Sequence, residues 1–596
     1  MTSTKETGLG AQYLGQETTT FRVWAPYATT IEVHSDGEQL IPLTPTDHGY
    51  FTGTIKGLVP GDRYRYRLDH GDEYPDPASR WQPDGVQGPS AIFDPQSFVW
   101  HDSAWRGHPW ENLVFYEVHV GTFSDTGRFE GIIEDLPRLS KLGITAIEIM
   151  PIAAFPGERN WGYDGVFPFA PQESYGGPEG FMRLVDACHL HNMSVFLDVV
   201  YNHTGPEGSV LSHFGPYFNT HYHTPWGQAL NFDGPESDPV REFFLENVRQ
   251  WIRDYHVDGL RLDAVHAIID SSAEPFLREL TREVDALASH TGRPIYTVAE
   301  SDRNDPREIM PRSKEGFGFS GHWNDDLHHA LHAFITGERT AYYVDYGPLD
   351  ALAQALAQGY VYTGQYSSYR QRRHGRPYRP HALGHLVVYG QNHDQVGNRP
   401  LGDRLTTHLS ENQLRLMAAT ILLSAELPLI FMGEEYGELA PFPYFVDHQD
   451  PKLLEAVREG RAREWAFLEE ALPDPADPLT FLSARLSSQR NNSISAWYGT
   501  LLRFRQEYLA KTLLGHPEVT ASVWTPDAMI FLSHQLARAT LHIWLNFSPN
   551  PLAYSREPKE VVLLNSATPD RVATPLSPLV TPLEVPAHGC LVTYLA

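Results

Sequence analysis

Three carboxylates set the chemistry open to this sequence: Asp263, Glu300 and Asp394, each at the end of a short apolar run and each with polar neighbours. Around the first, Asp258-Gly259-Leu260-Arg261-Leu262-Asp263-Ala264-Val265-His266 reads as a strand. Its period of two puts Leu260 and Leu262 on one side, Arg261 and Asp263 on the other. Burying a charge is costly unless it is paired, so this cation beside an anion is either a structural ion pair or part of a site. Arg261 would hold Asp263 ionised, as a nucleophile requires. Glu300 follows the apolar run Ile295-Tyr296-Thr297-Val298-Ala299, which would raise its pKa and keep it protonated for acid work. Two carboxyls in unlike protonation states, with a third to grip hydroxyls, are what cleavage of a glycosidic bond needs.

The elements that must bring these groups together begin near residue 111, where strands start to alternate with helices. Val114-Phe115-Tyr116-Glu117-Val118-His119 is a strand; Phe129, Ile132, Ile133, Leu136 and Leu139 keep helical spacing; Thr145-Ala146-Ile147-Glu148-Ile149-Met150 is the next strand. Further strands are expected at 194–200, 258–263, 294–300, 385–389 and 428–432. Helices are expected through Phe181 and Cys188, Val240 and Ile252, and Leu277 and Leu287. Alternation of this kind means a parallel sheet, doubly wound or closed. Closure into a (β/α)8 TIM barrel is favoured, because Asn202 and His203, Asp263, Glu300, His393 and Asp394 all follow strands, and a barrel gathers strand ends at one mouth.

Three domains are expected. Residues 1–95 alternate apolar with polar, as in Phe21-Arg22-Val23-Trp24 and Arg63-Tyr64-Arg65-Tyr66, and read as an immunoglobulin-like β-sandwich. The catalytic barrel takes residues 96–516, with an inserted loop at 203–238 lying over the mouth. A second β-sandwich takes 517–596.

At 596 residues, the chain is long enough for about three or four domains. Its net charge of −28 repels phosphate backbones and anionic lipid, so nucleic acid and membrane surfaces are poor partners, whereas a neutral sugar meets no such penalty. No apolar run approaches the roughly 18 residues of a membrane span. Met1 to Glu6 are polar and lack a secretion signal's apolar core, so a cytoplasmic location is expected. Cys188 and Cys590 are too few for a disulfide framework or a four-thiolate zinc site.

Four stretches then stand together: Asp198-Val199-Val200-Tyr201-Asn202-His203, Asp258 through His266, Val298-Ala299-Glu300 and Asn392-His393-Asp394. In order and approximate spacing they resemble those of the α-amylase family of retaining glycoside hydrolases. The resemblance implies Asp263 as nucleophile, Glu300 as general acid/base and Asp394 as the group that stabilises the transition state through sugar hydroxyls. It implies Arg261, His203 and His393 as substrate-site partners and Tyr163 as the aromatic against the sugar before the scissile bond.

Within that family the chain is similar to glycogen branching enzymes and to maltooligosyltrehalose trehalohydrolases. Gly321-His322-Trp323-Asn324-Asp325-Asp326-Leu327-His328-His329, Pro441 through His448 and the helix around Glu455 to Arg461 resemble the second group. This implies a maltooligosyltrehalose or related α-glucan substrate, and a companion enzyme that forms it. A loop carrying Asp325, Asp326, His328 and His329 is expected to contact the trehalose side, with Trp323, His266, Gln395 and Asn398 as further substrate-binding candidates. The alternatives are branching or amylase-type activity on unmodified α-glucans, and a glucan-binding scaffold without catalysis.

No cofactor and no required metal are expected, because no carboxylate cage of the calcium-binding kind stands out after His203. Gly316 to Gly321 fits the dinucleotide pattern G-x-G-x-x-G but neither follows a clear strand nor opens a helix. His328, His329 and His332 lack a second cluster at ligand spacing. Asn202-His203-Thr204 matches a glycosylation acceptor, but it falls inside the expected site.

Overall fold

Eight parallel strands pair in chain order and close into a barrel among the described residues. They are β1 (Phe115–Val118), β2 (Ala146–Ile149), β3 (Ser194–Val199), β4 (Gly259–Leu262), β5 (Tyr296–Ala299), β6 (Gly321–Trp323), β7 (Leu386–Tyr389) and β8 (Leu427–Phe431). Closure comes from β8 against β1, with Leu429 opposite Phe115. The computed structural model describes residues 8–595 except 36–39, 378–383, 466–471, 511–517, 526–528, 536–538, 555–559 and 568–582. Met1 to Glu6 therefore lie outside the described residues.

The alternation in each strand separates two cores. Phe115, Phe196, Val298, Val387 and Leu429 belong to one buried cluster, which fills the barrel; Phe115 and Phe196 meet edge to face at 4.8 Å. Tyr116, Leu197, Leu260 and Leu262 belong to the other, which packs against the helices. Gly259 is required by this filling, since a Cβ there would stand 2.2 Å from Phe196 Cε1. The helix Phe129–Leu142 shows how the outer wall is built. It buries Phe129, Ile132, Leu136 and Leu139 and stops at Gly143, whose φ of 111° suits glycine.

Two sheets precede the barrel. One orders Gly10–Gly15, Thr18–Trp24, Tyr50–Lys56 and Thr44–Pro45; the other joins Leu40–Pro42, Ile31–Ser35, Arg63–Leu68 and Glu73–Tyr74. Arg80 docks this module by pairing with Asp254 at 2.8 Å, and Trp81 Nε1 donates to Glu173 at 2.8 Å. A five-stranded antiparallel sheet follows the barrel, with Leu552–Tyr554 and Leu583–Val585 paired beside it. Buried Arg505, in the helical segment that ends the barrel domain, donates to the carbonyls of Leu422 at 3.1 Å and Ser424 at 2.9 Å and so fixes the last barrel helices to each other.

Two expectations need correction. Gly321–Trp323 is the sixth barrel strand, and Asp325–Thr336 is a helix rather than a loop. Asn324 starts that helix by accepting from Leu327 N at 3.3 Å, and Asp325 and Asp326 fall in its first turn, where acidic residues favour helix formation. The run 203–238 is also more than a loop. It holds the short helix Leu211–Phe214 and a hairpin of Phe218–Thr224 with Gly227–Leu230. Among the described residues no helix is long and apolar enough to cross a membrane.

Candidate active site

Strand register builds the centre of the mouth. Asp198 on β3 stands opposite Arg261 on β4, two residues above the Phe196 and Gly259 pair that fills the barrel. Arg261 is wholly buried. Its Nη1 donates to Asp198 Oδ1 at 3.0 Å, to Asp198 Oδ2 at 2.9 Å and to Asp263 Oδ1 at 2.8 Å. Its Nη2 lies 3.8 Å from Glu300 Oε2, and its Cζ sits 4.3 Å over the Trp323 ring. One guanidinium thus touches carboxyls from β3, β4 and the end of β5. Ala264 turns the chain after Asp263 with φ 39°, a left-handed value that costs a non-glycine residue about 1 kcal/mol or more. That turn aims its amide at Glu300 Oε2, 2.6 Å away.

Asp263 and Glu300, which share Arg261, are driven in opposite directions. Burial works against charge on Asp263, but Arg261, His203 and the Asn202 amide donating to Oδ2 at 2.7 Å outweigh it and lower its pKa. Burial raises the Glu300 pKa well above the usual range; Arg261 opposes this in part, while the Asp263, Asp394 and Asp325 charges add to it. Asp198 is pushed up to about 7, chiefly by burial.

The other side is built by the helix His393–Gly397, which Asn392 caps by accepting from Gln395 N at 2.8 Å. His393 N donates to Glu117 Oε2 at 2.9 Å, and its Nδ1 lies 2.6 Å from Glu117 Oε1. Its Nε2 lies 2.8 Å from the Tyr163 hydroxyl, which donates to Asp198 Oδ2 at 2.7 Å. The Tyr163 and His393 rings stack at 5.2 Å. Asp394 keeps 40% of its side chain exposed at the mouth, and Asn398 donates to it at 3.3 Å. His203 Nδ1 faces the Asn202 Oδ1 acceptor and its Nε2 reaches the Tyr163 carbonyl at 2.9 Å, while Trp226 from the hairpin stacks on its ring at 5.0 Å.

The remaining candidates separate by depth. Asp325 reaches the mouth, where Tyr389 donates to it at 2.6 Å and Gln395 at 3.1 Å, and burial pushes its pKa up to about 6. His266 lies in the turn after Asp263 with Nδ1 unpartnered. Asp326, His328 and His329 are buried in the helix that replaces the expected loop. Asp326 accepts from Asn304 at 2.8 Å, Val361 N at 2.7 Å, Tyr362 N at 2.9 Å and Tyr346 at 2.5 Å. His328 is held between the Gly390 carbonyl at 3.0 Å and the Tyr343 hydroxyl at 3.1 Å, and His329 stacks on Tyr342 at 4.3 Å. Among the described residues no group of three or more His, Cys, Asp or Glu could hold a metal ion.

Family models match the alpha amylase catalytic domain at residues 95–215 and carbohydrate-binding module 48, the isoamylase N-terminal domain, at residues 8–84. The chain is 47% identical over 500 residues to the malto-oligosyltrehalose trehalohydrolase of Saccharolobus solfataricus, covering 83% of this chain and 86% of that one. It is 42% identical over 569 residues to the enzyme of that name from Rhizobium sp., covering 93% and 94%. The chain belongs to the malto-oligosyltrehalose trehalohydrolase family. A crystal structure from Salmonella typhimurium, provisionally assigned as an alpha amylase, superposes with a TM-score of 0.89 at 37% identity over 99% of both chains. Pullulanase from Bacillus acidopullulyticus shares the fold, with a TM-score of 0.73 at 17% identity over 98% of this chain and 74% of that one.

Three groups of this trehalohydrolase-family site escape a reading by motif: Glu117, Tyr389 and Trp226. Glu117 carried a signal, since period two puts it on the inward face with Phe115. Tyr389 shares that inner cluster but looks like ordinary core. Trp226 sits at a hairpin tip whose position over His203 no local pattern reveals.

Proposed function

We propose that this chain hydrolyses the α-1,4 bond next to the terminal trehalose unit of maltooligosyltrehalose, releasing trehalose and a shortened maltooligosaccharide with retention at the anomeric carbon. What carries the reading is one arrangement: Asp263 and Glu300 share Arg261, and their surroundings drive their pKa values apart, the first lowered and the second raised. Retaining hydrolysis needs that division of states. The names of the relatives support the substrate.

In the proposed course Asp263 attacks the anomeric carbon as Glu300 gives its proton to the departing O4 of trehalose. The glucan chain is then an ester on Asp263. Glu300, now ionised, takes a proton from water; the hydroxyl attacks the same carbon, the ester bond breaks and Asp263 is restored. Asp394 grips sugar hydroxyls, Tyr163 stacks on the ring, and Arg261, His203 and His393 orient it. Trp323, Asp325, His266, Gln395 and Asn398 are the rim groups we assign to the trehalose side. Asp326, His328 and His329 act from beneath, by fixing the helix that presents Asp325.

We also propose that residues 1–95, 96–516 and 517–596 are the three modules, that the protein works in the cytoplasm, and that an enzyme forming maltooligosyltrehalose supplies its substrate. The test is product analysis on maltotriosyltrehalose and maltopentaose in parallel. Free trehalose released much faster than any cleavage of maltopentaose supports the reading. Comparable cutting or transfer on maltopentaose moves the activity to amylase or branching chemistry, and silence on both leaves a scaffold.

A further inference from the structure

We propose that Glu117 is a positioning residue: it holds His393 as an imidazolium and so fixes the direction of the hydrogen-bond chain that runs from His393 through Tyr163 to Asp198. The proton count along the chain carries this. The Tyr163 hydroxyl has one hydrogen and two polar neighbours, Asp198 Oδ2 at 2.7 Å and His393 Nε2 at 2.8 Å. Asp198 accepts from Arg261 on both oxygens, and this pairing opposes the burial that lifts its pKa to about 7; in its ionised form it offers Tyr163 only an acceptor. The tyrosine hydrogen therefore points to Asp198, and its oxygen must accept from His393 Nε2–H. On the far side of the ring, Glu117 takes the His393 amide on one oxygen and Nδ1 on the other. A carboxylate in that place again requires a hydrogen on the ring nitrogen. Both nitrogens are protonated, and the ring carries a charge.

The surroundings bear on this charge from every side. Burial opposes it, and so does Arg261 on β4; Asp394 on the same short helix and Glu117 on β1 favour it, and the balance lifts the His393 pKa to about 9. His119, just beyond β1, is kept neutral-leaning by burial, with His393 adding to that effect. Glu148 on β2, opposite Glu117 in register, has its pKa raised well above the usual range by burial. Asp198 on β3 and the Tyr163 hydroxyl complete the polar shell, and the Trp161 and Trp323 rings close the rest at 5.7 Å and 5.9 Å. Glu117 alone among the carboxyls grips both the ring and the backbone of His393. With that grip removed, a neutral ring could take the tyrosine hydrogen, and Asp198 Oδ2 would lose a donor.

The charge assignment stands on this chain's geometry, while its effect on turnover rests on the trehalohydrolase reading; the test separates the two. In histidine labelled with nitrogen-15, with His393→Asn identifying the resonance, wild-type His393 should keep both ring nitrogens protonated through neutral pH and titrate near pH 9. Glu117→Gln should lower that midpoint by more than about one pH unit. It should also reduce kcat for trehalose release from maltotriosyltrehalose by roughly tenfold to a hundredfold at pH 7, through misplacement rather than loss of a reacting group. Glu117→Asp should restore most of the midpoint and part of kcat. A neutral His393 at pH 7 in the wild type overturns the proposal whatever the variants do. So does a Glu117→Gln protein that is folded with its His393 midpoint unmoved. If His393 titrates high but no trehalose is released, the charge assignment survives and the substrate reading fails.

Discussion

Asp258 and Asp263 stand at opposite ends of one strand, and nearly everything else about them differs. Asp258, at the floor of the barrel, is closed. Its oxygens accept from Trp105 Nε1 at 2.8 Å, His189 Nε2 at 2.9 Å, Val195 N at 2.9 Å and Arg293. His189 is in turn held by Asp102 at 2.9 Å and stacks on Trp105 at 4.8 Å. At the mouth, Asp263 shares its cation with two other carboxyls, and several buried polar atoms there make no hydrogen bond: Arg261 Nε, His266 Nδ1, Trp323 Nε1 and Asn392 Nδ2. Buried polar groups are normally satisfied, and each orphan has a cost. The floor network is complete because its work is to hold the strand. In the proposed reading, a substrate's hydroxyls are what complete the mouth.

Four experiments can break or sharpen that contrast. The largest effect is expected at the open end: Asp263→Asn should lower trehalose release by more than about 10⁴-fold, with the thermal midpoint little changed. A variant within tenfold of wild type would remove Asp263 from the role of nucleophile. Next comes Glu300→Gln, with a loss of about 10² to 10⁴ in kcat/KM. Wild-type activity should fall as pH drops through the lowered Asp263 pKa and again as pH rises through the raised Glu300 pKa. The variant should lose that alkaline limb, and its survival unchanged would assign the limb to another group.

The closed end should respond the other way. Asp258→Asn leaves Arg293 and His189 buried beside a neutral amide, a break that costs about 3–5 kcal/mol of stability by urea unfolding, while kcat of the remaining folded protein stays within a few-fold. A large loss of kcat with no loss of stability would erase the distinction between the two ends. The smallest effect is in pH. The His189 pKa is raised by its carboxylates against burial, so its contribution is complete below about pH 6.5 and fades as pH rises through the folded value. Asp258 and Asp102 are lowered by their histidine and arginine partners against burial, so their contribution is complete above about pH 4 and fades as pH falls through the folded values. Unfolding free energy measured across pH should therefore show a plateau between those limits, and Asp258→Asn should flatten it.

The open end was far more legible in the sequence than the closed one. Asp263, Arg261 and Glu300 declare themselves because a charge at the end of an apolar strand is conspicuous. Asp258 begins the same strand but gives no hint that His189, Trp105 and Arg293 converge on it, since those partners come from distant segments. Strand β6 was hidden because three residues make too short an apolar run, and its Trp323 runs straight into the polar cap of the next helix. Asp326 and His328 looked like rim groups because residue type says nothing of depth. In a helix, neighbours one apart point to different sides, and Asp325 faces the mouth while Asp326 faces inward. The hairpin at Phe218–Leu230 was read as loop because its His- and Asn-rich strands lack a buried face; most of their residues are at least partly exposed.

The closed network also sets where this chain can be cut. Asp102 and Trp105 belong neither to the leading sheets nor to the barrel, yet they clamp His189 and Asp258 beneath the strand that carries Asp263. A catalytic fragment beginning at residue 96 keeps the clamp but loses the docking pairs of Arg80 and Trp81 and the ring contacts that Trp24, Tyr66 and Tyr74 make with Tyr217 and Phe214. One beginning at Trp110 has every barrel strand and still lacks the fastener under the fourth. The linker is a working part of the enzyme, and a domain boundary drawn by sheet topology alone would discard it.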